Sequence, residues 1–142
     1  MKNSILIPLL TYLGAAPFFL ANLLELANIR LFDIDSLTWF MTYGFVILSF
    51  MAGTLWGQVV NESAVVKGVA LATNGITLAA WFGYLLAVPS LGLIVSALGF
   101  VALYVLEAFV MKQMKRPDYY LDLRLRVTVL VVLAHCIMLF QI

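Results

Sequence analysis

Charge is what this sequence has least of. Only 11% of its 142 residues are charged, against about 25% in a typical soluble protein. No Asp, Glu, Lys or Arg occurs at 3–24, 36–61, 68–106 or 127–142. A helix rises ~1.5 Å per residue, so ~20 apolar residues cross a hydrocarbon core of ~30 Å. The deficit excludes an ordinary soluble domain, and the absence of a large basic cluster argues against a nucleic-acid partner. Cysteine is equally scarce. Cys136 alone excludes an internal disulfide or a cysteine-only metal site, and its apolar setting suggests a small buried hydrophobe. The single histidine, His135, holds no metal or haem unless two copies each supply one. H-E-x-x-H, a phosphate loop and a nucleotide fingerprint are all missing, as is a nucleophile with a base and orienting group near it. These absences point away from an enzyme, and no cofactor or metal is expected.

What is there is apolar sequence in span-length pieces. Lys2, the run from Ile5 to Leu13 and then Gly14-Ala15-Ala16 mimic a secretory signal. Pro17 is a poor residue after a cleavage site, however, and the apolar stretch continues to Ala27, so an uncleaved first helix is expected. The run at 68–106 would make a helix of about 58 Å, roughly twice a membrane. Val88-Pro89-Ser90 divides it, because proline removes a backbone donor and biases its predecessor away from helix. The expectation is an all-α, polytopic membrane bundle of five helices in one domain, 1–142, with spans near 5–27, 39–60, 66–87, 90–111 and 125–141. The last is short and is expected to extend its reach by snorkelling Arg124 and Arg126.

Five spans put the chain ends on opposite sides. Lys2, Lys67, Lys112, Lys115, Arg116, Arg124 and Arg126 then share the N-terminal side, and Arg30 alone, beside Asp33 and Asp35, lies on the other. The positive-inside rule makes the N-terminus cytoplasmic and the C-terminus periplasmic. Trp39, Trp56, Tyr84, Tyr119 and Tyr120 fall at interfacial levels and suit anchors. Small residues recur as Ser49-xxx-Gly53-xxx-Gly57, Gly75-xxx-Ala79-xxx-Gly83 and Gly92-xxx-Ser96. The first two ridges are expected to face each other, with a homodimer as the competing use.

Ionisable groups within spans are costly and are functional candidates by default. Glu25 shares a stripe with Thr11, Ala15, Phe18 and Asn22, and is expected to be hydrated or to meet Arg30. Glu107 is expected to pair with Arg124. His135 shares a stripe with Arg124 and Thr128, and Asn22 lies within a turn or two of its height; a structural hydrogen bond, a proton relay and a ligand role all remain open. Asn74 and Thr77 add polar groups to helix 3. The inner loop from Met111 to Arg126 carries Lys112, Lys115, Arg116 and Arg126, which suit anionic lipid headgroups as well as ordinary topology determination. Tyr120, Leu123 and Val127 could form a short amphipathic lead-in along the interface.

Two stretches carry a resemblance. Tyr43-Gly44, Ser49-Phe50, Ala52-Gly53 and Trp56-Gly57 in helix 2 resemble the second-helix signature of the transmembrane-protein-69-like family. Pro117-Asp118-Tyr119-Tyr120 with Leu123-Arg124 and Thr128 resembles its signature before the last helix. The matching positions are Ser49, Gly53, Trp56, Gly57, Tyr120, Arg124 and Thr128; Leu55 stands where the family is often basic. The resemblance implies a bacterial inner-membrane or mitochondrial inner-membrane setting and about five spans. It implies no activity.

The leading expectation is a non-enzymatic membrane protein acting through contacts with another membrane complex or with lipid. The alternative is a small oligomeric transporter or channel, which requires Glu25, Asn22, Asn74 and His135 to line one cavity. An intramembrane enzyme would need at least two of His135, Glu107, Arg124 and Tyr120 to converge in a pocket.

Overall fold

The computed structural model describes residues 3–59, 64–113 and 119–142, and side chains over 5–59, 68–113 and 120–142. Lys2, Lys115 and Arg116 lie outside the described residues, as do the side chains of Lys67 and Tyr119. The chain forms α1 (Asn3–Leu26), a 3-10 turn at Leu31–Asp33, α2 (Ser36–Val59), α3 (Ala64–Leu85), α4 (Pro89–Gln113) and α5 (Tyr119–Gln141). All five helices are long and apolar enough to cross a membrane.

Local chemistry sets the breaks. Pro89 occupies the first position of α4, where its missing N–H costs nothing, and Ala87 takes a left-handed φ of 58° to turn the chain. Pro8 and Pro17 instead lie inside α1, each deleting one backbone hydrogen bond. Between α1 and α2, Phe32 holds a left-handed φ of 54°, unusual for a bulky side chain. That loop is pinned by the Trp39 indole, which donates to Leu31 O (3.1 Å), and by Arg30, which donates to Asp33 O (3.2 Å).

One boundary differs from expectation for a clear reason. Helix α5 is continuous from Tyr119, so Tyr120, Leu123 and Val127 are part of it and form no separate lead-in. Charges in its first turns are paired, which adds modest support to the helix. Asp122 and Arg126 meet at 3.0 Å one turn apart, and Arg124 turns inward to Glu107 instead of snorkelling.

Helices α1, α2, α4 and α5 form the inner bundle, and α3 packs on its flank against α2 and α4. Each inner helix sends one ring to a buried hub: Phe18, Phe40, Phe100 and His135. The His135 ring lies 4.7 Å from Phe40, 5.4 Å from Phe18 and 5.6 Å from Phe100, centroid to centroid. Such spacings are those of favourable tilted and edge-on ring pairs. Gly44 makes room for the hub, since a Cβ there would sit 3.3 Å from the Phe18 ring.

The small-residue ridges pack differently from the expectation. Added Cβ atoms at Gly53, Gly57 and Gly75 would meet nothing within 4 Å among the described residues, so the two ridges do not interlock there. Gly83 instead turns toward Val95 of α4, and a Cβ at Gly92 would lie 3.3 Å from the Gly83 carbonyl oxygen. The tight turn at Pro89 brings those ends together, and the missing side chains let the two backbones approach. Cys136 is exposed on the outer face of α5 and is not the buried hydrophobe its setting suggested.

Candidate functional site

The polar groups within the helices are mostly satisfied one by one. Near one end of the bundle, Glu25 accepts a hydrogen bond from the buried Ser36 hydroxyl, while Arg30 turns to the Asp33 carboxylate at 3.5 Å. The expected Glu25–Arg30 contact is therefore not made. Asn22 staples α1 to α5. Its amide donates to Phe18 O (3.2 Å) and Ala134 O (3.1 Å), and its carbonyl oxygen accepts from Gln141 at 2.9 Å. His135 does not bond Asn22, although Asn22 reaches its chain neighbour. Its Nδ1 lies 2.8 Å from Val131 O. A carbonyl oxygen only accepts, so Nδ1 carries a proton and donates it to Val131 O.

Asn74 is exposed on α3, away from all of these. It lines a separate cavity of about 360 Å³ between α2 and α3, together with Ser49, Gly53, Trp56 and Thr77. Ser49 Oγ is buried there with no hydrogen-bond partner among the described residues. Neither this cavity nor the larger one is lined by Glu25, Asn22 or His135, so neither of the two brings together the four groups of the transporter reading.

The expected Glu107–Arg124 pair is present. Arg124 Nε donates to Glu107 Oε1 at 2.7 Å across α4 and α5, with both residues buried. The pair lines a cavity of about 480 Å³ whose walls come from α1, α2, α4 and α5. Tyr120 and Thr128 line the same space, and Tyr120 lies close enough to Glu107 and Arg124 to feel both charges. Three of the four groups named for an intramembrane enzyme therefore converge, while His135 stays outside in the aromatic hub. The remaining walls are largely apolar, including Ile7, Leu10, Ile47, Phe50 and Leu103.

Both resemblance motifs fall on cavities. Tyr120, Arg124 and Thr128 line the larger one, and Ser49, Gly53 and Trp56 the smaller. Sequence reasoning missed Ser36, Gln141 and Tyr43, whose hydroxyl donates to Gly14 O at 2.7 Å. Gln141 had a signal, being the single amide side chain in the apolar run at 127–142. Of the basic groups expected at lipid headgroups, Lys112 is exposed at the end of α4 and Arg126 is exposed beside Asp122.

An all-helical bundle with an apolar exterior, five span-length helices and its charge pair turned inward defines a polytopic protein of membrane type. The chain belongs to a family of proteins of unknown function, DUF3429, whose pattern matches residues 4–140. No curated protein and no solved structure matches it.

Proposed function

We propose that this protein is a non-enzymatic component of a bacterial-type inner membrane, or of the mitochondrial inner membrane in a eukaryote, acting through contacts with another membrane complex or with lipid. One observation carries the reading. Glu25, Asn22 and His135 each have a partner of their own, and none of them lines the cavity between α2 and α3 that holds Asn74. A conduction path needs such groups along one route, whereas structural hydrogen bonds need only local partners. The three groups that do converge are an acid bound to a base, with a tyrosine beside them. They form a charge-neutral wall whose carboxylate is already held by the guanidinium, so among the described residues no free base stands beside the Tyr120 and Thr128 hydroxyls to activate them. The seven-to-one distribution of basic residues supports a cytoplasmic N-terminus and periplasmic C-terminus. The resemblance of the α2 and α5 motifs to the transmembrane-protein-69-like family supports the membrane assignment.

Cross-linking mass spectrometry on native membranes at normal expression tests this reading. Reproducible links from Lys112 or Lys115 to one other complex are expected. Links only between copies of the chain, together with solute uptake by proteoliposomes that Asn22→Ala or His135→Leu abolishes, would replace it with the oligomeric transporter.

A further inference from the structure

The larger cavity has the size of a small-molecule site and an elongated shape. Its volume of about 480 Å³ lies within the ~300–1,000 Å³ usual for such sites. Its lining runs from Ile7 to Phe18 on α1, from Ile47 to Gln58 on α2 and from Tyr120 to Val131 on α5. At ~1.5 Å per residue, each stretch is about 16 Å long. Phe18 and Phe100 of the aromatic hub close the cavity in the middle of the bundle. The Tyr43 hydroxyl on Gly14 O ties α1 to α2 at about that level. Beyond this tie, Ile7, Leu10, Phe50 and Thr54 are at once cavity-lining and exposed, so the space opens sideways between α1 and α2 onto the apolar exterior.

We propose that this cavity binds an uncharged amphiphile: one apolar chain carrying an oxygen-bearing head, such as a glycerol ester or a ring carbonyl. The chain would lie along the apolar walls toward Phe18. The head would meet Arg124, whose guanidinium has N–H donors beyond the Nε used on Glu107, together with the Tyr120 and Thr128 hydroxyls. Charge decides between head groups. Among the described residues the lining holds one carboxylate and one guanidinium, already bonded to each other, so their sum is zero. An anionic head would add a second buried negative charge with no second buried cation among the described residues to meet it, which is strongly disfavoured. A neutral oxygen acceptor takes a hydrogen bond from the guanidinium and leaves the pair intact. Charged lipid heads have exposed cations such as Lys112 to meet, outside the cavity.

This inference concerns the isolated chain and does not depend on the accessory role. The test uses the full chain in phosphatidylcholine nanodiscs with a monoacylglycerol whose acyl chain carries a diazirine. After irradiation, label is expected on Ile47, Met51 or Leu103, lost on adding excess monoolein and retained with excess oleate, which has the same chain and a carboxylate head. Gly14→Leu should abolish that label, because it fills the cavity from a position where nothing lies within 4 Å of the new Cβ. Thr54→Phe does the same from α2 if the first variant does not fold. Label confined to outward residues such as Leu71 and Phe140, or cavity label that survives both variants, would overturn the site. Equal competition by oleate would overturn the uncharged head.

Discussion

Glu107 and Arg124 are joined by a single 2.7 Å bond between Oε1 and Nε, with side chains only 9% and 7% exposed. A buried pair of this kind is held by mutual need: each charge is tolerable inside the bundle because the other is there. Glu107→Leu alone, leaving the guanidinium unpaired, should cost about 3–5 kcal/mol of stability. The double variant Glu107→Leu/Arg124→Met should recover most of that loss, because no charge then remains buried. Unfolding by sodium dodecyl sulfate in bicelles separates the two outcomes.

Asn22 makes a different kind of link, since two of its partners lie on α5. Hydrogen bonds between membrane helices average about 0.6 kcal/mol and reach about 1.7. Asn22→Ala should therefore lower stability by roughly 1–2 kcal/mol, and Gln141→Ala by about half a kcal/mol or less. A double-mutant cycle on the two positions should show coupling, because the Gln141 amide donates to the Asn22 side chain.

The glycines divide into two sets. Gly99→Ala would place a Cβ 3.1 Å from Leu48, and Gly92→Ala would press on both Met41 and the Gly83 carbonyl. Each should cost about 1–3 kcal/mol through overpacking. Gly53→Ala and Gly75→Ala meet open space and should leave the monomer's unfolding unchanged or slightly later. If either weakened self-association on a calibrated column while the monomer stayed stable, the exposed α2–α3 face would be a contact between copies.

Sidedness can be read with thiols. In a Cys136→Ser background, Asn28→Cys should react with a membrane-impermeant maleimide added outside intact cells, and Lys112→Cys should react only after lysis. The reverse pattern would invert the proposed orientation. The native Cys136 should resist the same reagent throughout, because it faces outward within an apolar, span-length helix.

The helices were legible because their signal is long and local: the gaps between charges marked the spans and Pro89 marked the hairpin. The Glu107–Arg124 pair was legible because opposite charges flank one short connection near the same level. Asn22 shows where such reading stops. Its partner on α5 is the carbonyl of Ala134, a group every residue carries, so nothing in the sequence distinguishes it. Gly53 and Gly75 teach the same lesson for packing. A missing Cβ shows where a backbone is able to approach, and the rotation of each helix decides which neighbour does. Cys136 and His135 are adjacent, yet one faces out and the other in, a distinction that the weak amphipathicity of α5 does not record. The cavity was hidden for a related reason: it arises from the directions of side chains on four helices together.

The two prolines of α1 make it the softest strut in the frame. Proline at 8 and 17 withdraws the rungs that would tie down the carbonyls of Ser4 and Leu13, and the cavity-lining stretch from Ile7 to Phe18 contains both prolines. The bond from Tyr43 to Gly14 O braces the strut beside the upper gap, leaving the lower part of α1 to yield first. Breathing of the bundle should therefore concentrate in one wall. Amide deuteration ought to run fastest along α1 below Gly14, well ahead of α4, whose internal ladder lacks such gaps.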